Sequence, residues 1–145
     1  MSITRSQIVR AARSWIGTPY HHQASLKGAG TDCIGLVRGL WRELFGGEPE
    51  ALPAYSGDWA EATGQETMLR AAGRHLVATS TKHIQPGDVL VFRLRADTVA
   101  KHTAIAADPG RMIHAQEGVP VSEVNIGPWW RRRIAGAFSF PNVID

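Results

Sequence analysis

The apolar and polar positions of this chain change period once along its length. Ile8, Ala11, Ala12 and Trp15 fall on one helical face of a segment running from Ser6 to Trp15. Cys33, Val37, Leu40, Trp41 and Leu44 repeat at helical spacing behind Thr31-Asp32, a side-chain cap, and stop at Gly46-Gly47. Gly46 to Gly57, with Pro49 and Pro53, reads as an irregular loop, and a helix is expected from about Asp58, its cap, to Ala72. Beyond that the period is that of strands, over Asp88 to Leu94, Lys101 to Ala107, Arg111 to Ala115, Val119 to Val124 and Ile134 to Phe140. Helices first and strands after predict an α+β domain over residues 1–145, with N-terminal helices packed on an antiparallel sheet of about five strands.

The only cysteine, Cys33, stands at the first turn of the second helix. Free backbone amides and the positive end of the helix dipole favour thiolate over thiol there, so the position suits a nucleophile. A free cysteine also serves often as a small buried apolar residue, and the sequence becomes decisive only with a base to partner it. His102 and His114 meet that need, on strands joined by Asp108-Pro109-Gly110. An odd loop count or a bulge puts both imidazoles on one face of the sheet, and a two-residue loop puts them on opposite faces. The expectation is one face, with His102 taking the thiol proton and His114 holding the second ring nitrogen of His102.

Four blocks carry a resemblance: Trp15-Ile16-Gly17-Thr18-Pro19-Tyr20, Thr31-Asp32-Cys33-Ile34-Gly35-Leu36-Val37, Gln85-Pro86-Gly87-Asp88-Val89-Leu90-Val91-Phe92, and His102 through His114-Ala115. In order and character they resemble the NlpC-type family of papain-like cysteine peptidases. The resemblance implies a papain-like α+β fold and cleavage of peptidoglycan stem peptides, typically between γ-linked D-glutamate and diaminopimelate. It makes Cys33 the nucleophile, His102 the base and His114 the orienting third member. Tyr20 matches a tyrosine beside the nucleophile that helps bind the oxyanion, and Asp32 an acidic residue that organises the start of the helix. Two departures stand out: Ile34 where the family commonly has serine, and His21-His22-Gln23 where it commonly has a tryptophan-glycine-glycine run. They bring the chain closer to the phage-associated and gene-transfer-agent branch. An amidase or lipid acyltransferase with the same triad, and a non-catalytic tail or wall-binding component, are the alternatives.

Composition changes this picture little. A net charge of +3 and a pI near 9.5 invite a polyanion, and the run Trp129-Trp130-Arg131-Arg132-Arg133 mixes indoles with guanidiniums. No nucleic-acid motif accompanies the run, so it reads as a solvated strand start with its tryptophans packed on the domain. Among the histidines, His21 and His22 are adjacent, and no His-x-x-x-His or paired-cysteine spacing exists, so neither metal nor cofactor is expected. No Gly-x-x-x-x-Gly-Lys and no placeable carboxylate pair argue for nucleotide binding or glycoside hydrolysis. Tyr55 and Trp59 are candidate substrate contacts in the segment between nucleophile and sheet. The start lacks the apolar core of a secretory signal and no run reaches membrane-spanning length. The expectation is synthesis in the bacterial cytoplasm and delivery to the wall by a phage-like particle.

Overall fold

The computed structural model describes residues 2–49 and 64–145. Along the chain run α1 (Arg5–Arg13), β1 (Ser25–Leu26), β2 (Gly30–Thr31), α2 (Cys33–Phe45), α3 (Thr67–His75), β3 (Val77–Thr79), β4 (Val89–Phe92), β5 (His102–Ala106), β6 (Arg111–Gln116), β7 (Val119–Asn125), α4 (Pro128–Arg131) and β8 (Ile134–Ser139). β1 and β2 form a small hairpin, and the other six strands form one antiparallel sheet in the order β3-β8-β4-β5-β6-β7. The architecture is the expected α+β one.

Local sequence explains both N-terminal helices. Thr4 accepts from the Gln7 amide while the Gln7 side chain accepts from the Thr4 amide, a reciprocal cap that starts α1. Asp32 caps α2, and Gly46 ends it in the left-handed region at φ +88. Both helices lie on one face of the sheet, where Ile8, Ala12, Leu36, Val37 and Leu40 pack with Val89, Val91, Ile105, Ile113, Ala115 and Phe138. Because side chains alternate along a strand, the other face carries Leu90, Phe92, Ala104, Ala106, Met112 and Ala137, which form a second apolar layer with Ile126 and Trp130.

The fully buried Trp15 wedges α1 against α2: its indole lies on Gly39, and its Nε1–H donates to Glu43 at 3.0 Å. A Cβ on Gly39 would stand 2.1 Å from the indole, so glycine here serves close packing.

Two differences from the expected elements have physical causes. The sheet has a sixth strand, β3, a three-residue edge with two exposed positions, too short to show a period in the sequence. The β1–β2 hairpin, two residues a side, is too short to show a period. Of the helix expected from about Asp58 to Ala72, the described part is α3, from Thr67, with Gly64, Gln65 and Glu66 outside any helix before it. Asp58, Tyr55 and Trp59 lie outside the described residues.

Gly39→Ala should destabilise the fold by about 1–3 kcal/mol, the usual cost of overpacking, read as a lower urea midpoint at constant slope. An unchanged midpoint would mean that Trp15 is free to move aside.

Candidate active site

Asp32 builds the start of α2. One carboxylate oxygen accepts from the Gly35 amide and the other from the Gln23 amide, each at 2.7 Å. The first bond caps the helix, and the second fastens the loop His21–Ala24 against it. Gln23 holds a left-handed φ of 65 as it does so. Gly35 admits this loop, because a Cβ there would lie 2.0 Å from the Ala24 carbonyl oxygen. The His21-His22-Gln23 departure thus abuts the nucleophile helix through Asp32.

Cys33 meets the N-terminal end of β5. Its thiol lies 3.9 Å from the Lys101 carbonyl oxygen, and its own carbonyl accepts from the Thr103 hydroxyl at 2.9 Å. The residues immediately before and after His102 therefore both bond to Cys33. The thiol donates to a backbone carbonyl, and no hydrogen bond joins it to either histidine among the described residues.

The two histidines are brought together by the turn. Ala107 and Arg111 close the β5–β6 hairpin through the bond Ala107 N–H to Arg111 C=O at 2.9 Å, leaving Asp108, Pro109 and Gly110 as the loop. Gly110 takes φ +79, the left-handed position that ends such a three-residue turn. The register Ile105↔Ile113 then continues to set His114 opposite Ala104, diagonal to His102 and on its face. His102 Nε2 and His114 Nδ1 are 2.8 Å apart, so one donates and the other accepts. The same-face expectation holds.

Burial governs the charges. Desolvation, and then the neighbouring Asp32 carboxylate, push the Cys33 thiol up to about 11, against the pull of Thr103 and the Ile34 amide. This corrects the expectation that the helix start would favour the thiolate: the helix amides do lower the value, but removal from water outweighs them. Burial followed by the His114 charge brings His102 down to about 3, and burial alone brings His114 down to about 4. In the free protein the thiol and both imidazoles are neutral at pH 7.

Tyr20 forms an isolated parallel bridge to Thr31, which places it beside the start of α2. Burial and then the Cys33 and Asp32 charges raise its hydroxyl to about 12, so it stays a hydrogen-bond donor. Trp130 packs on the domain as expected, though from a short helix. It lies on α4 rather than at a solvated strand start, and it stacks on His102 with centroids 5.3 Å apart and planes 30° from parallel. Its edge also meets His114 and Phe92, at 5.3 and 5.1 Å. The signal available was Gly127-Pro128 before the indoles, since proline is favoured at the first helical position. Among the described residues, no three His, Cys, Asp or Glu side chains are grouped to hold a metal ion.

A thiol at a helix start, set against the end of the antiparallel-sheet strand that opens with His102, defines a papain-like α+β protein. The match to the NlpC/P60 family runs over residues 17–138, and the chain belongs to that family. It is similar to the γ-DL-glutamyl hydrolase of Bacillus subtilis (strain 168), 29% identical over 138 residues that make up 94% of this chain and 29% of that protein. It is also 29% identical over 131 residues to the murein DD-endopeptidase MepS/murein LD-carboxypeptidase of Escherichia coli (strain K12), covering 89% of this chain and 59% of the relative. The chain thus spans less than two thirds of either relative. Among solved structures, an NlpC/P60 family protein from Bacillus cereus superposes with a TM-score of 0.69 at 21% identity, over 97% of this chain and 41% of that one. The NlpC/p60 domain of the peptidoglycan hydrolase SagA superposes with a TM-score of 0.62 at 23% identity, over 95% of this chain and all of that one.

The buried histidines make stability depend on pH. Their folded values lie below the ordinary 6.5, so as pH falls the unfolded chain takes up protons first, and stability present above about pH 6.5 is lost toward 4 and 3. Between pH 6.5 and 5, above the carboxylate range, each should contribute a slope of up to about 1.4 kcal/mol per pH unit. Urea unfolding of wild type against the double variant His102→Asn/His114→Asn should show the variant's slope flatter by the two contributions together, up to about 2.8 kcal/mol per pH unit. Equal slopes would mean that the imidazoles are hydrated.

Proposed function

We propose that this chain is a cysteine peptidase acting on peptidoglycan stem peptides, with Cys33 as nucleophile, His102 as base and His114 as the orienting residue. The observation that carries the reading is the 2.8 Å imidazole pair whose His102 stands between Lys101 and Thr103, both bonded to Cys33. A purely structural core has little use for two neutral imidazoles bonded to each other in an apolar layer.

The geometry suggests the proton path. His102 Nε2 is engaged by His114 Nδ1, which leaves His102 Nδ1 for the thiol proton. For Nδ1 to accept, Nε2 must carry the ring hydrogen and donate to His114, and that bond fixes the tautomer. As Cys33 Sγ attacks the carbonyl carbon, its proton passes to His102. The oxygen of the tetrahedral intermediate takes bonds from the backbone amides at the start of α2 and from the Tyr20 hydroxyl. His102 then protonates the departing amine, and water, deprotonated by the same ring, hydrolyses the thioester. Trp130 holds the His102 ring in plane and keeps water from its bond to His114.

The γ-D-glutamyl–diaminopimelate bond is the proposed target, supported by the family and by the name of the Bacillus relative. The Escherichia relative is named for other peptide bonds of murein, so product analysis decides the bond. Delivery from the bacterial cytoplasm to the wall by a phage tail or gene-transfer-agent particle is part of the proposal. It is supported by the departures at Ile34 and His21-His22-Gln23, and the chain's presence in purified particles tests it.

Diaminopimelate-type peptidoglycan digested with the protein should yield fragments with a new diaminopimelate amino terminus by mass spectrometry. Cys33→Ala should yield none while keeping a wild-type melting temperature. Release at the muramyl-alanine amide instead would make the protein an amidase. No release from any wall preparation would favour the acyltransferase or the non-catalytic component.

Tyr20→Phe separates the oxyanion role from mere packing. Loss of the donor should lower kcat by about 10²-fold with KM little changed. A change in KM alone would place Tyr20 in substrate binding.

A further inference from the structure

At the end of the sheet where His102 begins β5, the chain gathers three guanidiniums, one of them paired with a carboxylate. Arg93, Arg132 and Arg133, with Ala96 and Ile134, line an open depression of about 370 Å³, and no carboxylate lines it among the described residues. Arg133 is rigidly placed: its Nε donates to the Leu94 carbonyl at 3.1 Å, its Nη1 to the Trp129 carbonyl at 2.8 Å, and its guanidinium lies 3.8 Å over the Trp129 ring. All of those partners are uncharged. Arg93 is paired with Glu66 at 3.0 Å, whose other carboxylate oxygen accepts from the Ala100 amide. Arg132 has no ion-pair partner among the described residues. Three guanidiniums against one paired carboxylate leave a net positive charge, and an anion seated between them balances it while using donors already oriented.

The depression adjoins the imidazoles. Arg93 follows Phe92, which is the partner of His102 across β4–β5, and the Arg93 amide donates to the Arg133 carbonyl at 2.8 Å. Trp129, nearly half exposed, packs edge-on against Trp130, which stacks on His102. From β8 through β4 to β5 is two strand spacings, roughly 10 Å, which an extended peptide covers in about three residues.

We propose that this depression is a subsite for a carboxylate of the peptide substrate, held by Arg93, Arg132 and Arg133 about three residues from the bond that Cys33 attacks. The proposal rests on the peptidase reading for its ligand, but binding tests it without turnover. The probe is the pentapeptide L-Ala-γ-D-Glu-diaminopimelate-D-Ala-D-Ala, whose terminal carboxylate lies three residues beyond the γ-glutamyl bond, compared with the same peptide amidated at that carboxyl alone, each titrated by calorimetry into the Cys33→Ala protein.

The free acid should bind roughly tenfold more tightly than the amide, and Arg132→Gln and Arg93→Gln should each erase most of that preference. Raising NaCl from about 50 to about 500 mM should weaken the acid's binding more than the amide's, an arm that needs no arginine variant. Equal binding of the two peptides, binding of neither, or a preference that survives both arginine substitutions overturns the subsite. Inorganic phosphate that displaces the acid at equal affinity overturns the assignment to a peptide carboxylate in favour of a phosphate-bearing wall polymer. Acid-selective binding to Cys33→Ala together with no turnover by wild type would support the subsite and sink the peptidase reading alone.

Discussion

The register of the β5–β6 hairpin is the constraint on which the site depends. With Asp108, Pro109 and Gly110 between Ala107 and Arg111, His102 and His114 point to one face and bond at 2.8 Å. One residue fewer in that turn would send His114 among the residues packed on α2. Gly110 in the left-handed region lets the turn close at that length, so a backbone torsion at the far end of the hairpin sets the partner of the proposed base.

The same register leaves the site neutral at rest. Trp130 covers the imidazole pair on the outer layer, while the thiol is buried against the end of β5. Taking three titratable groups out of water disfavours every charged form, so a thiolate–imidazolium pair is not the ground state of the free protein. The proposed chemistry then moves the proton as the substrate is attacked, when charge develops beside the amides at the start of α2 and the Tyr20 hydroxyl. Asp32 has a structural part here: it pins two amides and, by its charge, raises the thiol value further.

Much of this was legible in the chain. Cys33 behind a capping aspartate, ended by Gly46, gave a helix whose observed bounds match closely, because capping and termination are local. The histidine pairing followed from the turn residues between two apolar runs. What escaped depends on contacts between distant segments. β3 exists only because β8 offers it an edge, and Trp130 reaches His102 only because α4 folds back over the outer layer. The thiol's charge state was misjudged for the same reason, since a helix start is visible in sequence and the depth of its burial is not.

The central claim is that Cys33 forms a covalent acyl intermediate with His102 as its base. Rapid acid quench of the protein with its peptide substrate, followed by proteolysis and mass analysis, tests it most directly. An adduct with the mass of the acyl fragment should appear on the peptide containing Cys33 within the first turnover, and should be absent from His102→Ala. Turnover with no adduct at Cys33, or an adduct that forms equally fast without His102, would contradict the account.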